Sequence, residues 1–74
     1  MTPGDWRAVI DEYSFSGQVS QTQLMLAAAH SDHVDVAQDE ATDYIPVAVD
    51  AGVLEVASSR TSDPKRALSF RVGR

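Results

Sequence analysis

The residues best suited to chemistry gather near the end of the chain. Arg60, Lys65, Arg66, Arg71 and Arg74 are five of its six basic residues, and Ser58, Ser59, Thr61 and Ser62 stand among them as hydroxyl donors. Guanidinium and ammonium groups interleaved with hydroxyls suit phosphate oxygens. They suit the carboxylates of an acidic partner equally well. Over residues 58–74, five bases against Asp63 give +4, whereas residues 1–57 set Arg7 against ten acids and carry −9.

Other constellations are weaker. His30, Asp32, His33 and Asp35 have the side-chain types of metal ligands, but their spacing follows no zinc signature and no second cluster completes them. They read more simply as the polar connection between two helices. Ser, His and Asp all occur, yet nothing resembles a nucleophile elbow or an ordered triad, and there is no glycine-rich phosphate loop. No catalytic residue, metal site, cofactor or small-molecule substrate is expected, and the chain is not read as an enzyme.

Composition sets the outer bounds. Seventy-four residues suffice for one domain spanning 1–74 and leave little room for a deep cleft. Without cysteine, neither a disulfide nor a thiolate metal site can hold the fold, so packing must. No apolar run approaches membrane-spanning length and no signal-peptide pattern opens the chain, so a cytoplasmic protein with no membrane partner is expected. The acids are eight Asp and three Glu, the bases five Arg and one Lys, and Ala and Val dominate the apolar set. That bias resembles the acidic proteomes of salt-in halophiles. An ordinary acidic bacterial domain is the alternative.

The elements that must position the basic residues follow from periodicity and caps. Thr2, Pro3 and Asp5 open a helix whose apolar stripe is Trp6, Val9, Ile10 and Tyr13, ending near Ser14. Phe15 is expected in the core, and Gln18-Val19 as a very short strand. Ser20 with Gln23 forms a capping box for a helix that turns Leu24, Ala27 and Ala28 inward and ends near His30. A third helix, residues 36–51, is expected from an Asp35 cap, with Ala37, Ala41, Tyr44, Ile45 and Ala48 on one face. Pro46 lies on its polar face, where the helix bends and continues, and Gly52 ends it. Leu54 and Val56, then Leu68, Phe70 and Val72, alternate as two strands joined by a polar loop with the turn signal Asp63-Pro64.

This order, helix, short strand, helix, turn, helix and hairpin, resembles the winged helix-turn-helix family. The stretch "AVDAGVLEV" carries most of the likeness: a helix closing in Ala-Gly, a hydrophobic pair entering a strand, then a wing. The resemblance implies an α+β fold of three helices with a C-terminal two-stranded β-hairpin wing. It also implies double-stranded DNA as partner, with residues 36–51 as recognition helix and residues 58–67 as wing tip. The wing contacts would be Arg60, Lys65, Arg66 and Arg71, and the base-reading candidates Gln38, toward adenine, and Thr42. Asp39, Glu40 and Asp43 depart from the family pattern, since carboxylates are repelled by phosphates. Three accounts stay open: DNA held mainly by the wing and Arg71, acids screened by concentrated salt, or a helix that binds protein. The expected function is a small DNA-binding regulator of transcription or replication, as a possible homodimer. The alternative is a protein-interaction winged helix, as in the terminal domain of a larger replication or transcription enzyme, with its acidic helix as the partner surface.

Overall fold

The computed structural model describes residues 1–58 and 64–73. Arg60, the other residues of 59–63, and Arg74 lie outside the described residues, so the expected wing tip is described only from Pro64 onward.

Helix α1, Pro3–Glu12, begins as the caps require. The Asp5 N–H donates to Thr2 Oγ1 at 3.2 Å and the Thr2 N–H donates to Asp5 Oδ2 at 2.8 Å. Each bond satisfies a backbone donor that the first turn leaves open. Trp6, Val9 and Ile10 are buried, while Tyr13 is 40% exposed. The helix ends in a Schellman motif: the Phe15 N–H reaches the Ile10 carbonyl and the Ser14 N–H reaches that of Asp11. Ser14 occupies the left-handed position, φ 55°, where glycine is the usual residue.

Strand β1, Gln18–Ser20, leads directly into helix α2, Gln21–His30. The Ser20–Gln23 capping box forms in both directions, at 3.0 and 2.8 Å. Leu24, Ala27 and Ala28 are buried, as the helical period requires.

The third helical segment departs from expectation at its start and in its middle. It begins at Gln38, not 36, and its N-cap is Ala37, which has no side-chain cap bond; Asp35 is not used. The cause is tertiary. Val34 and Val36 pack against the core, so the chain stays extended through them and Ala37 turns outward. The segment then breaks into α3 (Gln38–Ala41), a 3-10 turn (Thr42–Tyr44) and α4 (Ile45–Asp50). Pro46 lies in the first turn of α4, where its missing N–H removes nothing. The Thr42 carbonyl that an N–H at position 46 would have bonded takes the Ile45 N–H instead. The expected bend is thus a change of hydrogen-bond period. Gly52, φ 78°, closes α4 in a second Schellman motif, with the Val53 N–H on the Ala48 carbonyl at 2.9 Å.

The sheet has three antiparallel strands in the order β1-β3-β2, one more than the expected hairpin alone. Strand β2 is Leu54–Ser58 and β3 is Ser69–Val72, preceded by a 3-10 turn at Pro64–Arg66. Phe70 lies between Val19 and Val56, and Arg71 between Gln18 and Glu55. A register shift between Val56 and Ser58 marks a bulge. The inward row of Leu68, Phe70 and Val72 holds only in part. Phe70 is fully buried, but Leu68 is 58% exposed. Leu68 lies one position beyond the last β1–β3 pair, its carbonyl accepting the Gln21 N–H in the same register, and its side chain is left at the end of the sheet.

The chain is therefore α+β, with helices and sheet sharing one core around Trp6, Leu24, Ile45, Leu54 and Phe70. Burying each such side chain contributes about 1.5–3 kcal/mol. Among the described residues, no helix is long and apolar enough to cross a membrane.

Candidate phosphate-binding surface

The described basic residues of the C-terminal stretch fall into two places, while Arg7 stands apart on α1. Lys65 and Arg66 are exposed on the 3-10 turn that returns the chain toward β3. Arg71 is exposed on the middle strand, among polar neighbours on both sides.

The turn is fastened from two directions. The Gln21 side-chain amide donates to the Lys65 carbonyl, and the Gln21 backbone N–H donates to Leu68. Gln21 is the first residue of α2, so its position is fixed by the Ser20 capping box. On the other side, Lys65 Nζ meets Asp43 Oδ1 at 2.7 Å. Asp43 stands in the 3-10 turn at the middle of the third helical segment. The base expected to meet phosphate is thus paired with one of the acids expected to repel it.

Arg71 is paired too, its Nη1 donating to Glu55 Oε1 at 3.0 Å across the β2–β3 ladder. Directly opposed residues of unlike charge are a common cross-strand device. Both ion pairs are open to water: Lys65 and Asp43 are 46% and 60% exposed, so the pair is worth at most about 1 kcal/mol.

Gln38 is exposed in the first turn of α3. Thr42 is half-buried and its Oγ1 donates to the Asp39 carbonyl at 2.8 Å, which commits that proton to the helix itself. Asp39 and Glu40 are exposed beside them. Gln21 and Asp43 were not singled out from sequence as partners of the basic turn. The capping box located Gln21 on a helix, but its long-range bond has no sequence signal.

In the connection that carries the two histidines, the described contacts run through Ser31. Ser31 is buried, its Oγ donates to the Glu12 carboxylate at 3.2 Å and accepts the His33 N–H at 3.1 Å, tying the ends of α1 and α2. Among the described residues, no three His, Asp or Glu side chains are grouped to hold a metal ion.

No family model matches the chain, and neither the curated proteins nor the solved structures contain a match.

Proposed function

We propose that the chain is a winged helix-turn-helix domain that binds duplex DNA through its phosphate backbone, with the β2–β3 hairpin as the wing. The order helix, strand, helix, helix, strand, strand supports the fold reading, together with the pairing of the early strand onto β3. The observation that carries the functional reading is the exposed Lys65-Arg66 pair on a turn anchored by Gln21. A phosphate can displace the Asp43 carboxylate at little cost, because that ion pair is solvated. Thr42 is committed to its own helix and Asp39 and Glu40 flank it, so binding is directed to the backbone and tolerant of sequence. A cytoplasmic regulator of transcription or replication, working as a homodimer, is the setting for such an interface.

Fluorescence anisotropy of a labelled duplex, titrated at several salt concentrations, tests this. Changing Lys65 and Arg66 together to Ala should weaken binding and flatten the log–log salt slope by up to about 2. An unchanged affinity and slope would remove the wing from the interface.

A second reading is favoured by one observation: Asp39 and Glu40 are exposed in the first turn of α3. On that reading the domain is a protein-interaction winged helix, as in the terminal part of a larger replication or transcription enzyme, presenting carboxylates to a basic partner. It predicts no duplex binding at any salt, and capture of a partner that is lost on Asp39→Asn with Glu40→Gln.

A further inference from the structure

A cleft runs between α1 and the end of the sheet. Arg7, Ile10 and Asp11 line one side, and Val72 and Gly73, at the end of β3, line the other. The main lobe holds about 480 Å³, and a side lobe of about 90 Å³ shares those five residues and reaches Val53. That size suits a small molecule, whose sites are commonly apolar clefts with a few placed polar groups.

Local structure fixes both walls. Positions 7, 10 and 11 share one face of α1, and Ile10 is buried, so Arg7 and Asp11 stand at the edge of the cleft. Opposite them, the Val72 N–H donates to the Gly17 carbonyl at 2.9 Å and the Gly73 N–H to that of Val53 at 2.7 Å. Phe15 and Ser16, on the loop that leads to β1, line the end of the main lobe.

The lining asks for two charges in one ligand. Arg7 and Asp11 are exposed residues of opposite sign at i and i+4. Base before acid is the weaker order for a helix ion pair, and among the described residues neither side chain has an ion pair or hydrogen bond. A simple anion would be drawn by the guanidinium and repelled by the carboxylate, and a simple cation the reverse. A molecule with a carboxylate and an ammonium on one carbon answers both, and an apolar side chain on that carbon suits Ile10, Phe15 and Val72.

We propose that this cleft binds a small zwitterion with an apolar side chain, of the α-amino-acid class, its carboxylate on Arg7 and its ammonium on Asp11. Both charges stand at a solvated rim, so a Kd near about 1 mM is expected. The cleft shares no residue with the basic turn, so it stands or falls apart from the DNA reading.

Amide chemical shifts of the full chain, titrated with L-leucine, N-acetyl-L-leucine and L-leucinamide, test it. The second probe lacks the ammonium and the third lacks the carboxylate. Leucine should shift Asp11, Ser16, Gly17 and Gly73, and should bind at least about threefold tighter than either derivative. Arg7→Gln should erase the preference over leucinamide and keep that over N-acetyl-leucine. Asp11→Asn should do the reverse, and both positions are exposed, so the fold should tolerate each change. The crossed pattern separates these contacts from the chain's net charge of −5, which favours leucinamide over N-acetyl-leucine in either variant. No shifts with leucine at about 10 mM, equal or tighter binding of a derivative, or shifts centred on α3 would overturn the proposal. So would the loss of both preferences together in each variant.

Discussion

The indole N–H of Trp6 donates to the carbonyl of Tyr44 at 2.9 Å, joining residues 38 apart in sequence. The bond ties the first helix to the 3-10 turn that interrupts the third helical segment. Trp6 is completely buried, so its ring fills the core while its one polar atom finds a partner where the helix period changes.

Trp6→Phe should therefore cost more than the lost ring area. The substitution removes volume and leaves the Tyr44 carbonyl without its donor, for a loss of about 2–3 kcal/mol in urea unfolding. A loss well under 1 kcal/mol would mean that water replaces the indole at no penalty.

Ser14→Gly should stabilise the fold. Serine at φ 55° bears a steric cost that glycine avoids, offset in part by glycine's greater freedom when unfolded. A gain of about 0.5–1 kcal/mol is expected, read as a rise in the urea midpoint with an unchanged slope. A drop in the midpoint would show that the serine hydroxyl contributes more than its backbone costs.

Gly73 is held for a different reason. Its N–H donates to the Val53 carbonyl at 2.7 Å, and a Cβ there would lie 2.1 Å from the Gly52 carbonyl oxygen. Gly73→Ala must push apart the end of β3 and the cap of α4, at about 1–3 kcal/mol. Thermal unfolding measures it, and an unchanged midpoint would rule out that close approach.

Asp43→Asn separates the ion pair from the interface. The variant should lose no more than about 1 kcal/mol of stability, since the Lys65–Asp43 pair is exposed. If phosphate competes with Asp43, duplex affinity should rise about two- to fivefold at low salt, the gain shrinking as salt is added. Weaker binding in Asp43→Asn would instead assign Asp43 to positioning Lys65.

The parts of this fold legible in the sequence are those fixed within a few residues. Thr2 with Asp5, Ser20 with Gln23, and Gly52 each fulfil the local role their type and spacing indicate. What eluded the sequence was set by distant packing. Asp35 is the cap its type suggests, but Val34 and Val36 pack against the core and the helix begins only after Ala37. Leu68 shares a period with Phe70 but stands at the end of the sheet, opposite the residue where the chain enters α2, and its side chain is exposed. Of the basic surface, the charges were evident; their pairing with Asp43 and Glu55 depends on how the hairpin folds back, which periodicity does not encode.

The strand order has a bearing on how the protein acquires its shape during synthesis. Strands β1 and β2 touch only through β3, which follows both of them in the chain. A nascent polypeptide can form its helices as they leave the ribosome, but the sheet has no template until Ser69–Val72 emerges. Phe70, wholly enclosed in the finished fold, is then the residue whose arrival closes the interior. Folding is therefore expected to be late and all at once, with long-range closure setting its pace.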